Sequence, residues 1–223
     1  MNMKDGIVVI NKPNGVTSHD VVESVRRCFK MSRVGHAGTL DPLATGVLVM
    51  LLGNSTKLFD KFVGFDKAYQ ATLVLGTATT TADTQGKVIE QKPFEHITKQ
   101  QILDILKTFL GETQQIPPMV SALKVKGKKL YELARKGIEV KREPRLIKIH
   151  RLDLLEFNPP HVKFYLECSK GTYVRQLAED VGKILGCGAC ICQIERTKVG
   201  DFSIDQAVKI EDLNESLIRR WSN

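Results

Sequence analysis

The chain has 223 residues, 42% hydrophobic and 26% charged, enough for one large domain or two small ones around a substantial core. Its longest apolar run, Val47–Leu52, falls far short of the ~20 residues of a membrane helix; Met1–Gly6 leads straight into strand-like Ile7–Ile10 with no signal peptide, and five cysteines, an odd number, suit a reducing cytoplasm rather than a disulfide framework. The net charge of +8 is concentrated, because Lys124–Arg151 holds eleven Lys or Arg against three acids (Glu132, Glu139, Glu143) and the rest of the chain is neutral. A localised basic stretch favours nucleic acid as partner over a merely solvated surface.

In chain order, Ile7–Ile10 predicts a buried strand and Asn11-Lys12-Pro13-Asn14-Gly15 a turn. Thr17 or Ser18 caps a helix running to about Lys30, with Asp20 in its first turn and Val21, Val22, Val25, Cys28 and Phe29 as its apolar face. Ser18-His19-Asp20 has the residue types of a catalytic triad, but consecutive positions cannot converge on one point. A helix cap is the better reading, with His19 at the surface.

Gly35–Gly53 is the most informative stretch. Small residues surround His36; Thr39, Leu40 and Asp41 follow, then Pro42, Ala44-Thr45-Gly46 and the strand Val47–Leu52. Pro42 biases Asp41 toward extended dihedrals, so the loop holds its carboxylate in a narrow range of directions. An isolated Asp-Pro would be read as a capped turn. Histidine, threonine and aspartate on one glycine-rich loop, anchored by a hydrophobic strand, is how a loop presents a reactive group.

Lys57–Phe65 reads as a short helical or irregular link, and Lys67–Leu75 as a strand with Tyr69 near its start. Thr77–Thr81 and Asp83-Thr84-Gln85-Gly86 form a loop between paired strands, with Val88-Ile89 beginning the return. Thr98 and Gln101 have capping-box spacing before an amphipathic helix (Ile102, Leu103, Ile105, Leu106, Phe109, Leu110) that ends at Gly111. Pro117-Pro118 opens the basic segment, in which Lys128–Lys136 has a short helical period and Tyr131 sits among lysines as stacking residues do on RNA-binding surfaces. Leu146–Phe157 and Val162–Cys168 read as strands. Tyr173–Leu185 reads as a helix whose core face is Val174, Leu177, Ala178, Val181 and Leu185, with Arg175 and Gln176 off that face. An arginine in a first turn opposes the helix dipole and calls for an anionic partner. Cys187, Cys190 and Cys192 contain one C-x-x-C and no second pair, so core packing is favoured over zinc, and no nucleotide-binding glycine motif is present. Neither metal nor cofactor is expected. Phe202–Ile210 predicts a last strand and turn, and Glu211–Trp221 a short terminal helix.

Four separated stretches together resemble the tRNA pseudouridine synthase B family, bacterial enzymes that isomerise the uridine at position 55 in the tRNA T arm. They are Asn11–Ser18; Gly35–Pro42 with Ala44-Thr45-Gly46; Pro117-Pro118 with Ser121-Ala122 and Lys124; and Ser169–Arg175. The resemblance runs through nearly the whole chain in the family's order. It implies an α+β pseudouridine synthase fold, with a mixed, largely antiparallel central sheet flanked by helices. It also implies one catalytic domain over residues 1–223 with an RNA-clasping insertion at about 117–145, and no small C-terminal RNA-binding (PUA) domain in this chain.

By the same resemblance Asp41 is the catalytic aspartate, Arg175 the arginine that pairs with it, and Tyr69 the tyrosine that stacks on the target base. His36 occupies the space vacated by the flipped uridine, and Lys12, Lys124, Lys128, Lys129 and Arg135 fall among the RNA-binding residues. Pro13, Gly38, Thr39, Leu40, Tyr173 and Ile194 line the pocket. The implied enzyme is a cytoplasmic, cofactor-free, monomeric isomerase whose partner is the T-arm stem-loop of tRNA, with no membrane. A non-catalytic RNA-binding or tRNA-chaperone protein on the same fold is the alternative, which intact Asp41, Tyr69 and Arg175 oppose; a hydrolase with an aspartate nucleophile lacks a second carboxylate nearby. The pattern is departed from at Val120, which stands where an aromatic is usual, and at Ile194-Glu195-Arg196, which replaces the family's usual Leu-Arg-Arg and puts an acid where a base is usual.

Overall fold

A computed structural model of the chain describes residues 5–125 and 127–221. Met1–Lys4, from the expected start, Lys126 of the basic stretch and the last two residues, where the chain's end was read, lie outside the described residues. The chain packs as two compact units, residues 1–69 with 194–223 and residues 70–193.

The first unit begins with β1 (Gly6–Lys12), α1 (Ser18–Phe29), β2 (Val34–His36) and β3 (Thr45–Leu52). A 3-10 turn (Gly53–Leu58) and α2 (Phe59–Val63) then lead into β4 (Lys67–Leu75), which passes into the second unit. There the chain forms β5 (Thr77–Thr79), β6 (Val88–Gln91), α3 (Lys99–Thr108), β7 (Gly111–Gln115), β8 (Lys124–Val125), β9 (Lys128–Lys129), α4 (Leu130–Ala134), β10 (Arg145–Asn158), β11 (His161–Cys168) and α5 (Val174–Leu185). β12 (Ala189–Val199) returns to the first unit, which closes with β13 (Phe202–Ser203) and three short 3-10 turns.

In the first unit the strand order is β1-β3-β12, with β2 against β3 and β13 against β12; in the second, β4-β11-β10-β7. The described ladders are antiparallel, except β12 with β3, which is parallel. β3 is apolar without interruption because both of its faces are covered. Leu48, Met50 and Leu52 pack with Val8, Ile10 and the α1 residues Val21, Val25 and Phe29. Val47, Val49 and Leu51 pack with Ile7, Val9, Phe62 and Phe202. Thr17 caps α1 in a reciprocal capping box with Asp20, and those bonds hold the Asp20 carboxyl below its ordinary value. Cys28, expected on the buried face, is exposed; its thiol instead donates to the Leu213 carbonyl at 3.4 Å.

The expected strand boundaries at Lys67–Leu75 and around Pro159-Pro160 agree with β4, β10 and β11. The Thr98–Gln101 capping box forms at α3. Two further expectations are corrected. Glu211–Trp221 is not a helix: Arg219 exchanges two backbone hydrogen bonds with Ile7, each 2.9 Å, and so uses groups that a helix would have to satisfy internally. Only the 3-10 turns Ile210–Asp212 and Glu215–Leu217 form there. Arg175 and Gln176 are not off the core face of α5 but are 4% and 7% exposed. Cys187 and Cys190 are buried, and burial pushes the Cys190 thiol up to about 11, as expected of packing residues rather than reactive ones.

Candidate active site

The Asp41 loop lies wholly within the first unit. It is held at several points on both sides of the aspartate. Before it, the buried Ser18 hydroxyl donates to the Leu40 carbonyl (3.0 Å) and accepts the Leu40 amide (2.8 Å). After it, the Pro42 carbonyl accepts the Gly15 amide (2.9 Å) and the Lys12 ammonium (3.4 Å). The Ala44 amide closes the turn on the Asp41 carbonyl at 3.0 Å. With both neighbours pinned, Asp41 has little backbone freedom, and its side chain is half-buried.

Lys12 departs from the expectation that it meets RNA. Its side chain is fully buried, and its ammonium also donates to the carbonyls of Pro13 (2.8 Å) and Val16 (2.7 Å). It braces the loop. Burial pulls its pKa down to about 8, the Asp41 charge acts in the opposite direction, and the Arg196 cation adds to the lowering. Pro13 and Thr39 are exposed, Gly38 and Ile194 half-buried and Leu40 buried; Ile194 packs on the core cluster that contains Leu40. Tyr69 is 7% exposed in β4, whose first residue, Lys67, donates its ammonium to the Val63 carbonyl at 2.7 Å.

His36, the last residue of β2, is held below its ordinary pKa, first by burial and then by the Arg196 charge, against a raising interaction with the Gly38 backbone. It is therefore neutral at pH 7. A base with a depressed folded-state pKa contributes its full stability above its unfolded value of about 6.5 and loses it as pH falls toward the folded value. Urea midpoints measured from pH 7.5 to 5 should fall more steeply for the wild type than for His36→Phe. Parallel profiles would remove His36 from the acid sensitivity.

The second unit carries Arg175, Tyr173 and the basic residues. The Arg175 guanidinium donates to the carbonyls of Thr81 (2.6 Å) and Val120 (2.7 Å) and lies 3.7 Å from the Asp83 carboxylate. Asp83 is thus an anionic partner of the kind the helix position calls for. Sequence reasoning passed over it as a loop residue, although Asp83-Thr84-Gln85 has the signature of a turn closed by its own carboxylate: Asp83 accepts the Gln85 amide (3.1 Å) and the Thr81 hydroxyl (2.6 Å). Gln115 binds both backbone groups of half-buried Tyr173, donating to its carbonyl (3.1 Å) and accepting its amide (2.8 Å). Lys124, Lys128 and Arg135 are exposed, and Tyr131 sits between the Lys129 ammonium (5.4 Å) and the Arg135 guanidinium (5.3 Å).

Residues 26–174 match the model of the TruB family pseudouridylate synthase N-terminal domain, and residues 175–222 that of the tRNA pseudouridylate synthase B C-terminal domain. The chain belongs to the TruB family of pseudouridylate synthases. It is 46% identical to the tRNA pseudouridine synthase B of Clostridium tetani over 97% of this chain and 75% of that protein. Against the tRNA pseudouridine synthase B of Symbiobacterium thermophilum the identity is 49%, over 94% and 71%.

Among solved structures it is similar to a chain of the Cbf5–Nop10–Gar1 complex, with a TM-score of 0.75 and 28% identity, covering 96% of this chain and 54% of that one. A chain of an H/ACA RNP bound to a substrate RNA containing 2'-deoxyuridine gives a TM-score of 0.70 at 25% identity, over 95% and 53%. The chain therefore spans about half the length of these structural neighbours. Its mixed, largely antiparallel α+β architecture is the pseudouridine synthase fold.

Proposed function

We propose that this chain isomerises the uridine at position 55 of the tRNA T arm to pseudouridine, with Asp41 as the essential carboxylate. The observation that carries the reading is the immobilised Asp41 peptide, fastened on one side by Ser18 and on the other by Gly15 and Lys12. A reaction that breaks the bond from ribose to N1, turns the base over and rejoins it through C5 is redox-neutral: C5 gives up a proton and N1 gains one. A carboxylate can serve it by attacking the nucleotide or by removing a ribose proton, and each route needs an ionised, fixed Asp41.

In this reading Arg175 pairs with Asp41, Tyr69 stacks on the target base, and neutral His36 fills the gap left by the flipped nucleotide, at a flipping cost of a few kcal/mol. Gly38, Thr39, Leu40, Tyr173 and Ile194 shape the pocket with Pro13. Lys124, Lys128, Lys129 and Arg135 contact phosphates, which position the RNA without reading its sequence. The enzyme acts as a cytoplasmic monomer.

Incubation with an unmodified T-arm stem-loop carrying tritium at C5 of the target uridine, followed by mass spectrometry, tests the reading. Tritium release with pseudouridine at that position supports it; RNA binding without product on both stem-loop and whole tRNA would favour the chaperone reading. Changing Lys128 and Lys129 together to Ala should raise KM several-fold, leave kcat within about twofold and lower the salt slope of binding by roughly 1.5, as the loss of two phosphate contacts predicts. An unchanged KM and slope would remove these two lysines from the interface.

A further inference from the structure

Arg196 is one of the most buried cations of the chain, 2% exposed, and its position on β12 is the parallel partner of Gly46. Its guanidinium does not face solvent. Nε donates to the Val47 carbonyl (2.8 Å), Nη2 to the Gly38 carbonyl (3.0 Å) and Nη1 to the Thr39 carbonyl (3.4 Å). One planar cation therefore ties the entry of the Asp41 loop to its exit. The backbone adds a second restraint. Gly46 has φ +99°, and a Cβ there would lie 2.3 Å from the Arg196 carbonyl oxygen, so the loop's exit is seated against the same residue.

We propose that Arg196 is a positioning residue for the Asp41 carboxylate, acting through the backbone of residues 38–47. This rests on the reading of Asp41 as the catalytic group. Arg196 neither touches the aspartate in the described contacts nor needs to. Closing a loop at both ends restricts the peptide between them, and the planar fork of the guanidinium aims separate donors at carbonyls of both ends at once. Lysine at this position keeps the charge but lacks the planar fork that sends separate nitrogens to Val47, Gly38 and Thr39. The charge has its own reach, because it helps to hold both His36 and Lys12 below their ordinary pKa values. A residue that merely filled the core would have no such directed link to the loop.

The test compares Arg196→Lys, Arg196→Ala and a destabilised core control, Leu48→Ala, with wild type and Asp41→Asn, by single-turnover conversion, stem-loop Kd and thermal unfolding at a temperature where each is folded. Arg196→Lys should bind the stem-loop within about twofold of wild type yet turn over about 10²-fold more slowly, the cost of a misplacement on the scale of 1 Å. Leu48→Ala, although less stable, should keep its single-turnover rate. Millimolar guanidinium, matched against sodium chloride at equal ionic strength, should restore part of the rate to Arg196→Ala and none to Asp41→Asn. If Arg196→Ala does not fold, Arg196→Lys decides. Wild-type turnover in Arg196→Lys beside an inactive Asp41→Asn overturns the positioning role alone. Wild-type turnover in Asp41→Asn overturns the catalytic reading and the positioning role with it. A rate loss in Leu48→Ala equal to that in Arg196→Lys at equal loss of melting temperature assigns Arg196 to stability only.

Discussion

Asp41→Asn should abolish pseudouridine formation, lowering turnover by roughly 10³-fold or more, because an amide is neither a nucleophile nor a base in the range where a carboxylate is both. The substitution is isosteric, and the loop's described restraints run through other groups: the Ser18 bonds to the Leu40 backbone, the Gly15 bond to the Pro42 carbonyl and the Arg196 bonds to Gly38, Thr39 and Val47. Fold and RNA affinity should therefore persist. Filter binding of the stem-loop and a thermal melt on the same preparation separate chemistry from folding. Residual turnover within tenfold of wild type, in protein free of deamidation back to aspartate, would remove Asp41 from the chemistry.

Asp83→Ala should destabilise the protein by about 1–3 kcal/mol, the usual cost of removing one partner from a buried polar cluster whose other hydrogen bonds remain. Both side chains are nearly inaccessible, at 4% for Arg175 and 6% for Asp83, so water cannot take over the lost partner's role. The same carboxylate organises its own turn by accepting the Thr81 hydroxyl and the Gln85 amide. Its loss should also loosen the Thr81 carbonyl that receives the Arg175 guanidinium, so turnover should fall in protein that is still folded. Urea unfolding of Asp83→Ala, Arg175→Met and the double variant closes the cycle. The double variant should be less destabilised than the sum of the singles by more than about 1 kcal/mol, since the two residues share one interaction. Additive losses would mean that each side chain contributes independently of the other, and a loss below 1 kcal/mol for Asp83→Ala would mean that its ion pair with Arg175 contributes little.

Much of the local structure was legible in the amino-acid order alone. The uninterrupted apolar run at Val47–Leu52, the 3.6-residue face of Val21, Val22, Val25 and Phe29, and the capping spacing Thr98–Gln101 are each decided by near neighbours and formed as read, except that Cys28, read with that face, is exposed. Asp41 ahead of Pro42 is legible on the same local scale, as one peptide's dihedral preference that limits a carboxylate. The confinement of excess charge to Lys124–Arg151 is likewise a property of the chain itself. β7 was missed because Gly-Glu-Thr-Gln-Gln has no alternating apolar pattern; it is a strand because residues 145–149 of β10 supply its ladder.

Only the tertiary structure decided where the cations and acids go. Arg196 stands 158 residues after Gly38, and nothing local distinguishes it from a solvent-facing arginine. Lys12 looks like an RNA contact until the carbonyls of Pro13, Val16 and Pro42 converge on its ammonium. Arg175 advertised the need for an anion, but its pairing with Asp83 came from a turn distant in the chain. The terminal segment became extended because the edge of β1 offered Arg219 a backbone partner. Helices, strands and turns follow from interactions within a few residues. The burial of a charge depends on acceptors contributed from elsewhere in the chain, and those exist only once the fold has brought them together.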